Sequence, residues 1–312
     1  MPSMNPSERD VRLTVLGCRG SMPVGGRGFS VFGRDTSAYL LEAGGEQLLL
    51  DAGTGLSNLF LASSMSEVPM FPSLSGKTLR LLMTHCHVDH ILGLPLFLAQ
   101  VCRGKGLMIF GPDCDGEGVE QQFAHLFSHP LWPVGLRDYP EVEYEFHGVD
   151  AEFSIGPFRV RSAPSSHPGG SCIYRVEVLG KSVLLATDFE HGGPEEESLR
   201  RLAEGADLLL YDGQYSEETY INRRGYGHST PEKGAELFLN SGAGRLRIVH
   251  HDPGQTDDQL MAREWILRKQ VAERLRKRLL DKLGDRELAD MLTEKQVADL
   301  CGFAREGEVI LL

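Results

Sequence analysis

Residues 84–90 read Thr-His-Cys-His-Val-Asp-His, and this stretch constrains the chain more than any other. It follows the apolar run 79–83, Leu-Arg-Leu-Leu-Met, which predicts a buried strand, so His85, His87, Asp89 and His90 are delivered together at a strand end. Four such side chains within six positions would crowd an ordinary core. Imidazole and carboxylate donors together suit zinc, manganese or iron, and a metal site draws its ligands from several converging loops. In an extended loop His85 and His87 point the same way and can share one ion, while Asp89 and His90 turn toward a second position. Two metals in one site are expected, with Cys86 turned away from both.

The run His-x-His-x-Asp-His resembles the signature of the metallo-β-lactamase superfamily, in which a His, an Asp and another His follow at scattered positions. Candidates stand in that order, each after an apolar strand-like run: His167 after 158–163, Asp188 after 182–187 and His250 after 246–249. The resemblance implies His85, His87 and His167 on one divalent ion, Asp89, His90 and His250 on the other, and Asp188 bridging both. Zinc and manganese suit these ligands equally. His251 directly follows His250 and stays open as the last ligand in its place. Asp51, in Asp-Ala-Gly-Thr-Gly55, matches the family's supporting aspartate, which orients the metal loop.

Gly227-His-Ser-Thr230, placed between Asp188 and His250, is similar to the RNase Z and phosphodiesterase branch of that superfamily. Asp35-Thr-Ser37 and Ala304-Arg-Glu-Gly307 match the same branch, so the likeness covers roughly residues 11–258 and 303–312. It implies that His228 contacts phosphate and acts as a general acid. The local chemistry agrees: Thr230 and Pro231 predict a helix start, whose positive end beside His228 favours an anion. With Asp89 and His228 in catalytic roles, the expected reaction is attack on a phosphodiester by a hydroxide shared between the two ions. The expected substrate is a small cyclic phosphodiester, a cyclic nucleotide or cyclic sugar phosphate. The alternative is hydrolysis of a lactone, ester or thioester on the same two ions.

The net charge of −12 weighs against long nucleic acids, which need clustered Lys and Arg, and leaves a small anionic substrate as the expected partner. Transfer-RNA-processing members of the branch carry a flexible arm between the third and fourth metal motifs. Here residues 168–187 are filled by a predicted hairpin, 172–178 and 182–186 about Leu179-Gly180, which leaves no room for an arm. The opening ten residues have no apolar signal core, and no apolar run reaches the roughly 18 residues that span a bilayer, so a cytoplasmic protein without membrane contact is expected. The six cysteines are scattered, which predicts reduced thiols.

The predicted elements alternate as an α/β chain requires, and with the resemblance they imply a four-layer αβ/βα sandwich with a C-terminal helical insertion. Strands are expected at 11–16, 38–42, 47–51, 79–83, 158–163, 172–178, 182–187, 207–211 and 246–249, and helices near 56–65, 91–101, 194–204 and 231–240. One domain spanning 1–312 accounts for 41% hydrophobic residues, with 1–10 unstructured. Within 257–302, before a final strand at 307–312, Leu260, Trp265, Val271, Leu275 and Leu279 predict an amphipathic helix, and Thr293-Glu-Lys-Gln296 a capping box for a second one. That insertion is expected to form a lid or a homodimer contact. Residues 113–147 are expected to form an insertion that shapes the substrate pocket, in which Trp132 either stacks on a base or pins the insertion onto the core. Asp212, Arg19 and Ser21 are expected to support the ligands or face substrate.

Overall fold

The computed structural model describes residues 10–60, 74–283 and 293–312. The expected unstructured start, apart from Asp10, lies outside these residues, as do 61–65 of the helix near 56–65 and 284–292 of the insertion. Among the described residues fourteen strands form two sheets of seven. In the first, β1 (Val11–Gly17), β2 (Ala38–Ala43), β3 (Glu46–Leu50), β4 (Thr78–Leu82), β5 (Lys105–Phe110) and β6 (Val142–His147) lie side by side in chain order. The second runs in chain order through β7 (Glu152–Ile155), β8 (Phe158–Pro164), β9 (Cys172–Val178), β10 (Lys181–Ala186), β11 (Leu208–Asp212), β12 (Arg245–Val249) and β13 (Cys301–Phe303). β14 (Val309–Leu311), shorter than the expected 307–312, returns to the first sheet beside β1.

Both sheets change direction in the same way. β14 to β3 and β7 to β10 pair antiparallel, while β3 to β6 and β10 to β13 pair parallel. The central parallel strand β11 is buried throughout, in all five residues Leu-Leu-Leu-Tyr-Asp, as a strand covered on both faces must be. Loops bearing the candidate donors leave the carboxyl ends of β4, β8, β10 and β12, and Asp51 follows β3; β3 and β10 are the strands at which the two sheets switch direction, where such sheets open a crevice.

Three apolar layers hold the sandwich together. The inner one packs Leu13, Tyr39, Leu41 and Leu50 of the first sheet against Tyr174, Val176, Leu185 and Leu210 of the second. The outer face of the first sheet is covered by α1 (Val88–Ile91), α2 (Leu94–Gln100) and α3 (Val119–Leu126), through Leu94, Phe97, Leu98 and Phe123. The outer face of the second is covered by α4 (Glu196–Ala203), α6 (Pro231–Ser241), α7 (Asp257–Leu283) and α8 (Glu294–Leu300), with the short α5 (Glu217–Tyr220) before α6. The expected four-layer arrangement and helical C-terminal segment are both present. No described helix is long and apolar enough to cross a membrane.

Several elements depart from expectation. Of the helix near 56–65, residues Thr54–Leu59 form a 3₁₀ turn. Residues 113–147 are less an insertion than scaffold, because α3 packs on the first sheet and β6 is its edge strand. α7 buries Leu260, Leu267 and Val271, whereas Trp265 is 58% exposed, its ring 3.6 Å from the Lys269 ammonium. The expected capping box is formed at α8, where the Thr293 side chain accepts from Gln296 N. All six cysteines are free thiols.

Candidate metal centre

Strand-end backbone aims the site. Asp51, Asp188 and His250 each follow a strand with positive φ, 57°, 53° and 60°, a left-handed bend that L-residues adopt at a cost of about 1 kcal/mol or more. The metal loop stays extended through His87, which caps α1, so His85 and His87 share one side and the helical turn carries Asp89 and His90 to the other. Val88 points outward, 61% exposed, while Asp89 and His90 are buried.

Four of the five imidazoles are held by one nitrogen, which frees the other, while His87 Nδ1 lies 3.0 Å from His167 Nε2. The Thr84 hydroxyl donates to Asp51, and its lone pair accepts the Nδ1–H of His85 at 3.1 Å. His90 Nδ1–H donates to Asp51 Oδ2 at 2.9 Å, His167 Nδ1–H to the Gly227 carbonyl at 3.0 Å, and His250 Nδ1–H to Gln214 Oε1 at 2.9 Å. Partners of this kind set the tautomer and leave Nε2 as a lone pair. The Nε2 atoms of His85 and His90 are buried and without a hydrogen-bond partner.

These lone pairs converge in two places. Donor atoms of His85, His87 and His167 lie within 4.8 Å of one another, and so do those of Asp89, His90 and His250. Asp188 stands between the groups: one oxygen is 3.9 Å from His85 Nε2, 3.8 Å from His167 Nε2 and 3.3 Å from His250 Nε2, the other 3.1 Å from His90 Nε2. Lone pairs facing lone pairs at such separations repel unless a cation lies between them. Burial keeps His85, His87 and His167 below the ordinary imidazole range, hence neutral and able to ligate. Burial acts the same way on His90 and His250, but Asp188 and Asp89 outweigh it and raise both, His250 to about 9, so the carboxylates here demand positive charge. The donor set fits divalent metal binding on each of these counts.

The other expected residues divide sharply. Asp51 is a hub under the metal loop, accepting from Thr84 N at 2.7 Å as well as from Thr84 Oγ1 and His90. Asp212 is a second hub, accepting from the backbone N–H groups of Asp188, Gln214 and Ser229 and from His228 Nδ1 at 2.9 Å. His228 Nδ1 is 3.8 Å from Asp188, and its ring stacks 4.8 Å from that of His250. Ser21 N donates to Asp89 Oδ2 at 2.7 Å, and its hydroxyl accepts from Gln214 at 3.1 Å. His250, not His251, enters the cluster; His251 turns away and donates to the Ala304 carbonyl at 2.9 Å. Arg19 does not face substrate: fully buried, it donates to the carbonyls of Gly33, Asp252 and Gln255. Trp132 packs on the outer core of the first sheet with its indole N–H on Tyr139 Oη at 2.8 Å, so it anchors 113–147. Sequence reasoning missed Thr84, Gln214 and Glu190, each one or two residues from a recognised aspartate or histidine, which is the one signal that could have found them.

Comparisons with known proteins agree with this geometry. Residues 46–251 match the model of the β-lactamase superfamily domain. The chain is 25% identical over 276 residues to ribonuclease Z of Bradyrhizobium sp. (strain ORS 278), covering 73% of this chain and 88% of that one. It is 28% identical over 250 residues to the probable metallo-hydrolase YhfI of Bacillus subtilis (strain 168), covering 77% and 86%. The crystal structure of YhfI superposes with a TM-score of 0.62 at 19% identity over 97% and 100% of the chains. A diphosphatase of the PhnP family superposes with a TM-score of 0.60 at 15% identity over 96% and 97%.

Proposed function

The chain belongs to the β-lactamase superfamily and is a hydrolase of its metal-dependent kind, and on that premise we propose that it cleaves a small cyclic phosphodiester, a cyclic nucleotide or cyclic sugar phosphate. The observation that carries the choice of phosphate is His228, an imidazole set beside Asp188 yet bonded through Nδ1 to Asp212. Two of the similar proteins are a ribonuclease and a diphosphatase by name, both denoting cleavage at phosphate.

Two divalent ions, zinc or manganese, one on His85, His87 and His167 and the other on Asp89, His90 and His250 with Asp188 shared, would supply an ionisable water and positive charge for the phosphate oxygens. The chain's own residues do the rest. Asp51 and Thr84 lock the rings of His90 and His85, and Ser21 N steadies the Asp89 carboxylate. Asp212 accepts the Nδ1–H of His228 and fixes the ring, so that Nε2 is the nitrogen from which a proton passes to the departing alkoxide. Thr230 caps α6, accepting from Lys233 N, and the helix start adds its partial positive charge next to His228. With 7% of His228 exposed, that proton is transferred where bulk water hardly competes. A homodimer through the exposed Met261, Trp265 and Ile266 of α7 belongs to the same proposal and is checked by light scattering.

The test is turnover of a panel of 3′,5′- and 2′,3′-cyclic nucleotides and cyclic sugar phosphates by protein loaded with zinc or manganese, with His167→Ala as the inactive control. Metal-dependent turnover of a phosphodiester, weakened by His228→Ala, is expected. Hydrolysis confined to lactones or thioesters, and indifferent to His228→Ala, would move the assignment to the ester class.

A further inference from the structure

The loop 222–226, directly before Gly227 and His228, carries Arg223 and Arg224, both exposed. In a protein of net charge −12 two adjacent guanidiniums would ordinarily find carboxylates. Their contacts are with rings instead: Arg223 lies 5.4 Å from the Tyr226 centroid and Arg224 5.7 Å from that of Tyr220. Among the described residues neither forms an ion pair. Stacking orients a guanidinium without neutralising it, so its charge and its forked donors remain available.

The platform under Arg224 is itself fastened. Tyr220 Oη donates to Glu190 Oε1 at 3.1 Å, and its ring lies 4.2 Å from that of His191. The Glu190 carboxylate also accepts from Gly225 N at 2.8 Å and Gly227 N at 2.9 Å, and the Gly227 carbonyl holds His167. Arg224 and His167 consequently line one open cleft of about 650 Å³. Glu190 and Glu195 line it too, but the first is taken up by those amides and by Tyr220, and the second by the Ser166 hydroxyl. Both carboxylates keep their charge, but neither forms an ion pair with Arg224, the one Lys or Arg among the residues lining this cleft.

We propose that Arg224, flanked by Arg223, forms a second phosphate subsite, so that the preferred substrate carries another phosphate besides the one that is cleaved. This deepens the phosphodiesterase reading and rests on it. A phosphate held next to His167 places its substituent in the cleft, where the Arg224 fork can engage a second one bidentately. In an acidic protein such a contact also offsets the repulsion that an additional negative charge would meet.

The test is calorimetric titration of the metal-loaded protein with thymidine 5′-monophosphate, thymidine 5′-diphosphate and thymidine 3′,5′-bisphosphate, which present the second phosphate at two spans. At least one doubly phosphorylated nucleotide should bind about tenfold more tightly than the monophosphate, a gain typical of one charge-assisted contact. Arg224→Gln should remove that gain and keep monophosphate affinity within about twofold, since the exposed side chain supports no buried structure. Equal affinities for all three in the parent protein, or a variant that weakens all three alike, would overturn the subsite. Turnover of the cyclic nucleotide and cyclic sugar phosphate panel is followed separately. Its absence with the binding gain intact sinks the phosphodiesterase reading and spares the subsite, and its presence with equal affinities does the reverse.

Discussion

His228 Nδ1–H donates to Asp212 Oδ2 at 2.9 Å, and the same carboxylate accepts the backbone N–H groups of Asp188, Gln214 and Ser229. One side chain at the end of β11 therefore sets both the bridging position and the imidazole beside it. Asp212→Asn keeps the size but loses the carboxylate that accepts the His228 Nδ1–H and fixes the ring. Steady-state kinetics should show kcat reduced about 100-fold, the usual scale of general acid catalysis, with bound metal per chain unchanged by elemental analysis. A loss of metal equal to the loss of rate would instead make Asp212 a ligand.

Asp188 is the donor common to both groups of lone pairs. Asp188→Ala should abolish turnover and lower the metal content below two per chain. Chelation of the parent protein should lower its melting temperature, because an ion bound only by the folded state at a thousand times its Kd stabilises by about 4 kcal/mol. Two ions per chain retained in Asp188→Ala would show that the carboxylate does not bridge.

Gly227 has φ 87°, and a Cβ there would lie 2.1 Å from His167 Nδ1. Gly225 has nearly the same φ, 86°, with open space around it. Gly225→Ala should cost only the backbone penalty of about 1 kcal/mol, read as a small drop in melting temperature. Gly227→Ala should add displacement of the His167 ring and so weaken metal binding by tenfold or more, measured by competition with a chromogenic chelator. Equal effects in the two variants would argue that His167 has no fixed position to lose.

Burial lowers the His251 imidazole from its ordinary 6.5 to about 3. Its Nε2–H is satisfied by Ala304, and its buried Nδ1 has no described partner that could stabilise a proton. Between those two values the unfolded chain binds a proton that the folded chain refuses, so stability rises with pH through this window. The contribution, up to about 5 kcal/mol, is fully present above 6.5 and fades as pH falls toward 3. His251→Gln retains a donor for Ala304 but cannot titrate, so its melting temperature should fall less steeply than the parent's between pH 7 and 5. Parallel slopes would remove His251 as a cause of acid sensitivity.

The donor cluster was legible in the sequence because histidines and aspartates gathered at strand ends after apolar runs crowd and repel one another unless a cation joins them, and 84–90 carries four of them in one loop. The strands through β4 and from β8 to β12 followed from the same apolar periodicity. Only the tertiary structure decided between His250 and His251, since adjacent residues of one loop differ solely in the direction each side chain takes after a left-handed bend at residue 250. It also turned Arg19 from a substrate contact into a buried tie between the loops around residues 33 and 252–255, and chose for Trp132 the anchoring role over the stacking one. The partners supplied from distant loops, Gln214 to His250 and the Gly227 carbonyl to His167, were invisible for the same reason. A ligand's residue type is written locally, whereas the hydrogen bond that orients its ring is made across the fold, by groups whose identity in the chain is unremarkable.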